Sequence, residues 1–157
     1  MPFLLRYPGE VKAGTVNRDM ILNLDFPELF LDYAGTKPPA EMQGVSFRRN
    51  LQGHTPKDWR KSMYYRYWMH LADHGVPAHY GVRTERYKLI YYYGKPLGTS
   101  GSLEGDDRAP EWELFDLKND PHEMKNVYGQ ADYSRVTEDL KKELARLQAQ
   151  YKDTPVT

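Results

Sequence analysis

The sequence predicts an α+β fold, a four-stranded antiparallel sheet packed by one long C-terminal helix. Three observations predict it. Met63 to His70 alternates side chain by side chain. His79 to Thr84 and Tyr87 to Tyr93 are two strand-like runs meeting at Glu85-Arg86. Asp132 to Tyr151 carries apolar residues at helical spacing. A helix with one apolar face covers one side of such a sheet and leaves the other open.

The elements follow in chain order. Phe3 to Tyr7 is a short apolar run closed by Pro8-Gly9, and it reads as a strand from the middle of a sheet. Nothing later in the chain looks like its parallel neighbours, which points to missing sequence. Its unpaired edge also offers a route to a dimer. Asp25 to Ala34 reads as a helix with Asp25 as N-cap, Glu28 at capping-box spacing, Pro27 in the first turn and Gly35 after the C-cap. Phe26, Leu29, Phe30 and Tyr33 form its apolar face. Residues 36–41 are a Pro-containing connector, and Ser46 to Leu51 makes a helical turn before Gly53.

In the first strand of the sheet, Met63, Tyr65, Tyr67 and Met69 share one face, and Tyr64, Arg66, Trp68 and His70 share the other. Glu85-Arg86 joins the next two strands as a hairpin. Residues 94–110 are rich in Gly, Ser and Asp and read as a loop. Trp112 to Asp116 is the fourth strand. Asp120 to Glu123 reads as a capped helical turn. In the last helix Tyr133, Val136, Leu140, Leu144, Leu147 and Tyr151 form the apolar stripe, and Glu138 with Lys142 is spaced for an i,i+4 pair.

Composition narrows the function. Twenty-two basic and twenty-two acidic residues give a formal net charge of zero. That provides no electrostatic case for nucleic acid or an anionic membrane. No apolar run approaches the roughly 20 residues of a membrane span. With no cysteine, disulfides, thiolate metal sites and a Cys nucleophile are excluded. The five histidines show no HxxxH or HxH spacing on a predicted helix or strand, which argues against an independent metal hydrolase.

Several stretches resemble a known family. MPFLLRYPGEVKAGTVNRDMILNLDFPELFLDYAG has a strand ending in Pro-Gly and then an Asp-x-Pro helix ending in Ala-Gly. MQGVSFRRNLQG, YYRYWMH, HYGVRTERYKLIYYY and LFDLKNDPHEMKNVY follow in order. Together they resemble the closing part of a type I, formylglycine-dependent sulfatase. The likeness is nearest to glycan sulfatases of the N-acetylglucosamine-6-sulfatase and N-sulphoglucosamine sulphohydrolase kind. It implies that residues 1–53 are the tail of a larger alkaline-phosphatase-like α/β domain, and that residues 54–157 are the C-terminal subdomain. It also implies a calcium ion and a formylglycine in the parent enzyme, and export to the periplasm, exterior or lysosome, with any leader upstream of Met1.

The departure is large. No Cys/Ser-x-Pro-x-Arg occurs, and the paired aspartates of the metal site are absent. The expectation is therefore a fragment with no catalytic residue, metal ligand or cofactor of its own. Its partners would be the missing N-terminal sulfatase domain and a sulfated glycan. The alternative is a stand-alone glycan-binding or protein-interaction module.

Four residues are the candidate substrate contacts. His79 and Arg83 share a strand face, with Gly81 between them leaving room for a ligand, and both are donors suited to sulfate oxygens and hydroxyls. Trp68 and His70 suit a sugar ring and a hydroxyl. The bland readings are a sheet face with His70 at its edge, His79 capping a loop and Arg83 paired with a carboxylate. Asp73-His74-Gly75 looks like a metal triplet but reads as a turn, since one carboxylate and one histidine fall short of calcium's six oxygens or more. His54 and His122 read as solvated, Tyr91 to Tyr93 as sheet packing, and Asp120 and Glu123 as caps.

Overall fold

The computed structural model describes residues 3–98 and 100–154. The chain forms two compact units, residues 1–60 and 61–157.

The first unit holds α1 (Phe26–Tyr33) and α2 (Arg48–Leu51), with a 3-10 turn at Asn23–Asp25 leading into α1. Asp25 sits at the N-cap of α1 but does not cap it through its side chain. Its carboxylate instead accepts the N–H of Leu22 at 2.7 Å and of Val45 at 3.0 Å, and it pairs with the Arg60 guanidinium. Asp25 is fully buried, so one charge organises three chain segments. Trp59 donates its indole N–H to the Met20 carbonyl at 3.2 Å. These two anchors hold residues 59 and 60 in the first unit, a few residues past the expected division at 53.

Phe3 to Tyr7, expected as a strand, joins no ladder. Phe3 packs on Phe26 and Phe47 with ring centroids at 5.0 and 5.7 Å, and Tyr7 packs on Tyr33 at 4.9 Å, while Leu4 is 93% exposed. One face of the segment is thus seated and the other bare. A strand needs a neighbour for its backbone groups, and the first unit supplies none. The anticipated dimer edge is therefore not a preformed strand. The expected apolar face of α1 also divides: Leu29 is buried, whereas Phe30 is 64% exposed.

The second unit contains β1 (Ser62–Tyr67), β2 (His79–Thr84), β3 (Tyr87–Tyr92), β4 (Glu111–Asp116) and α3 (Ser134–Gln150). The strands are antiparallel in the order β1-β2-β3-β4. Register places Tyr64, Val82, Leu89 and Leu114 in one row, under α3. Leu140, Leu144 and Leu147 meet them, with Ala78, Tyr80, Tyr93 and Val127 completing the core. Val136, Tyr133 and Tyr151 flank it, as the stripe predicts. Among the described residues of this unit no helix covers the opposite face, which carries Tyr65, Tyr67, His79, Gly81, Arg83, Ile90 and Tyr92.

The hairpin forms at Glu85-Arg86, where the Tyr87 N–H donates to the Thr84 hydroxyl at 2.9 Å. Arg86 reaches across to Asp116 with two bonds of 2.8 and 3.0 Å. Asp116 also accepts from the Asn119 amide at 2.9 Å, and the Arg86 guanidinium holds its carboxyl down at about 2. Asp120 to Glu123 makes turns rather than a helix: Asp120 accepts the Lys125 N–H, and Glu123 is left-handed at φ 55° and pairs with Lys88. Glu138 and Lys142 form no ion pair among the described residues. The ion pairs on α3 are Glu143 with Arg146 and Arg135 with Asp139.

Candidate functional site

β1 ends at Tyr67, three residues earlier than the alternation predicts. Trp68 and His70 therefore belong to the β1–β2 loop (68–78), and the assumed shared face with Arg66 ends there. Trp68 is 48% exposed, and the Arg66 guanidinium lies over its ring at 5.6 Å. His70 is fully buried. Its Nδ1 accepts the Ala78 N–H at 3.1 Å and its Nε2 faces the Asp106 carbonyl at 2.9 Å. Both ring nitrogens are occupied, so neither is open to a ligand in this geometry.

His79 opens β2, opposite Tyr67 on one side and Tyr92 on the other. Three tyrosines surround its ring, with centroid distances of 5.4 Å to Tyr67, 5.6 Å to Tyr65 and 5.0 Å to Tyr92. Nδ1 lies 2.8 Å from the Pro77 carbonyl, which can only accept, so Nδ1 carries a proton. Burial lowers the His79 pKa below its ordinary 6.5. The neutral ring then presents Nε2 as an acceptor, suited to a sugar hydroxyl rather than to a sulfate oxygen. This alters the expected donor role. The same burial pushes Tyr92 up to about 12 and raises Tyr65 further, so these phenols remain neutral donors.

The sign of the His79 shift makes a testable claim. A lowered folded-state value means the unfolded chain binds more protons in the window just below 6.5. The contribution to stability is full above 6.5 and is lost as pH falls through the lowered value. Histidine NMR titration is expected to give His79 a midpoint below 6.5. A midpoint at or above that value would contradict the burial of the ring.

The expected gap at Gly81 is filled. A Cβ built there would stand 2.6 Å from the Leu89 carbonyl and 3.1 Å from the Tyr65 ring. Glycine serves close strand and ring packing here, not ligand space. Arg83 is exposed and forms no ion pair among the described residues, contrary to the bland reading. It lies four residues along β2 from His79, about 13 Å at strand rise. The fold thus places His79, Trp68 and His70 toward one end of the sheet, the Trp68 ring beside Arg66 on the α3 side and the His79 ring among tyrosines of the opposite face, and leaves Arg83 toward the other end.

Asp73-His74-Gly75 forms a surface turn, with the Gly75 N–H on the Ala72 carbonyl at 2.8 Å. Among the described residues no cluster of three His, Cys, Asp or Glu is placed to hold a metal. With no cysteine and no Cys/Ser-x-Pro-x-Arg, the residues present do not fit calcium or formylglycine chemistry, and no catalytic step is assigned to them. No helix of the described residues is long and apolar enough to cross a membrane.

Sequence reading missed a feature of the first unit. A cavity of about 680 Å³ is lined by Phe3, Leu5, Phe26 and Phe47 on its apolar side and by Asp19 and Asn50 on its polar side. Asn50 is 1% exposed, and its Nδ2 donates to Asp19 at 2.8 Å, while its Oδ1 has no partner. The signal available in sequence was the Phe3 to Tyr7 run, whose second face had no place in this chain.

The model of the N-sulphoglucosamine sulphohydrolase C-terminal family matches residues 1–150. This chain belongs to that family. The sulphohydrolase C-terminal region is 41% identical over 155 residues to an N-acetylglucosamine-6-O-sulfatase of Bacteroides thetaiotaomicron, covering 98% of this chain and 25% of that protein. It is 30% identical to an ulvan-active sulfatase of Formosa agariphila, covering 92% of this chain and 32% of that protein. Among solved structures it superposes on BT4656, determined with D-glucosamine-2-N,6-O-disulfate, with TM-score 0.82 and 40% identity, covering 94% of this chain and 28% of that one. A phosphonate monoester hydrolase from Silicibacter pomeroyi shares the fold, with TM-score 0.71 at 20% identity. The chain thus spans about a quarter to a third of the relatives it matches.

Proposed function

We propose that this chain is the C-terminal part of a sulfatase acting on sulfated glycans, that it forms one wall of the sugar pocket, and that it is inactive alone. The observation that carries this reading is the family match over residues 1–150 in a sequence that holds no Cys/Ser-x-Pro-x-Arg. In the wall, His79 accepts from a sugar hydroxyl and the exposed face of Trp68 stacks on the ring. Arg83 reaches an anionic group further along the glycan. His70 supports them from below without touching sugar.

The remaining three quarters of the enzyme supply the nucleophile and the calcium site, and seat on the first unit. The apolar cavity, the partnerless Asn50 Oδ1 and the unladdered Phe3 to Tyr7 segment support that seat. A strand laid beside residues 3–7 would satisfy their backbone groups. Export of the parent enzyme is part of the same proposal.

The purified chain, assayed with calcium on D-glucosamine-2-N,6-O-disulfate and on an aryl sulfate, is expected to show no turnover above a heat-denatured control. Turnover above that control would overthrow the claim of inactivity. A stand-alone glycan-binding role would instead appear as sugar-induced NMR shifts around His79 and Trp68 at micromolar ligand.

A further inference from the structure

We propose that His70 is the positioning residue of this site: a neutral imidazole, protonated at Nε2, that latches the β1–β2 loop (68–78) to the segment around residues 100–108 between β3 and β4. The consequence for sugar binding rests on the function proposed above, but the latch itself does not.

The tautomer follows from the partners. The Ala78 N–H at 3.1 Å can only donate, so Nδ1 must accept and carries no proton. The Asp106 carbonyl at 2.9 Å can only accept, so Nε2 must donate. A protonated ring would set an N–H against the Ala78 N–H, and the other neutral tautomer would lose both bonds. One form alone fits both partners. Its full burial makes an unmatched nitrogen costly.

The backbone of His70 joins the same latch. Its N–H donates to the Trp68 carbonyl at 2.8 Å, and its own carbonyl accepts the Leu103 N–H at 2.8 Å. The Ser102 hydroxyl reaches the Trp68 carbonyl at 3.1 Å, and the Gly94 N–H reaches the Ala78 carbonyl at 3.2 Å. The ring is the piece that spans the arrangement. It grips Ala78, the residue before His79, and holds Asp106 on the other loop. The residue two before it, Trp68, is the stacking face. A single buried side chain thereby sets the spacing between the two proposed sugar contacts, neither of which it replaces. The next residue, Leu71, is left-handed at φ 52°, a conformation that the loop must hold against its intrinsic preference.

The test uses the full chain labelled with nitrogen-15. Ring correlation spectra are expected to show His70 with an unprotonated Nδ1 and a protonated Nε2. A protonated Nδ1 would overturn the proposal whatever any variant does. His70→Asn keeps an acceptor near the Nδ1 position, and His70→Gln keeps an N–H near the Nε2 position. Hydrogen exchange should then split: His70→Asn retains slow exchange at the Ala78 amide while Leu103 exchanges roughly tenfold faster, and His70→Gln does the reverse. Unchanged protection of both amides in both variants would refute the latch.

Titration up to millimolar D-glucosamine-2-N,6-O-disulfate, where a lone pocket wall binds far more weakly than the micromolar stand-alone module, follows shifts at Trp68 and His79. Both variants are expected to weaken the apparent affinity by about tenfold, roughly one lost hydrogen bond. Wild-type affinity in both variants would remove the positioning role. Absence of any shift in the wild-type chain would defeat the glycan reading, while the ring tautomer and the exchange pattern would still decide the latch.

Discussion

Replacing Arg60 with methionine is expected to destabilise the first unit by about 3–5 kcal/mol. Asp25 is fully buried and carries a negative charge whose countercharge is Arg60. The Leu22 and Val45 amides would remain, but two neutral donors do not replace a guanidinium held in two-pronged contact. Methionine keeps most of the stem's packing, so the loss reports the charge. Trp59 provides the readout: Arg60 lies 5.0 Å from its ring, and its indole is bonded to Met20. Denaturation followed by its fluorescence should show the drop, with Trp68 and Trp112 each replaced by Phe to isolate the signal. The double variant Asp25→Asn with Arg60→Met should lose less than the sum of the two single changes. A loss below about 1 kcal/mol for Arg60→Met would mean that Asp25 is solvated, contrary to the packing around it.

The second large effect lies in the second unit. Leu114→Ala is expected to cost about 2–5 kcal/mol, because Leu114 is fully buried between the sheet and α3. Leu89 pairs with it across the strands, and Leu140, Leu144 and Leu147 close over the core that both residues join. The site would collapse only partly around the missing methyl groups. Met124→Ala, at a side chain 83% exposed, should change stability by less than about 0.5 kcal/mol. Urea denaturation of the two variants beside the parent chain separates them. Equal midpoints would contradict the placement of β4 under α3.

Much of the second unit was legible in the sequence because its signals are local. Period-two alternation in β1, the Glu85-Arg86 turn and the 3-4 spacing of α3 depend only on side chains a few residues apart. The end of β1 was not legible. Trp68 and His70 continue the polar and apolar rhythm, but hydrogen bonds from Ser102 and Leu103 draw that segment out of the ladder. Those partners lie more than thirty residues away, in a stretch whose composition says only loop. The role of Asp25 was misread for a related reason. Its position before a helix makes it a standard cap, yet Arg60, thirty-five residues on, takes its carboxylate. Gly81 shows the same limit. A glycine in a strand signals close approach, and the packing of Tyr65 decided that the approaching group was protein.

The candidate site divides along that line. His79 and Trp68 could be proposed from residue type, because an imidazole and an indole suit a sugar wherever they stand together. Their placement toward one end of the sheet, with Arg83 set apart, required the register of β1 on β2 and the course of the loops. By itself the sequence determined the family, the strand and helix inventory, and the absence of a Cys/Ser-x-Pro-x-Arg sequence, since these are properties of residue order and type. The tertiary structure alone decided the hydrogen-bond partners of His70 and His79 and which face of the sheet α3 covers. Both depend on groups that are distant along the chain and meet only when it folds.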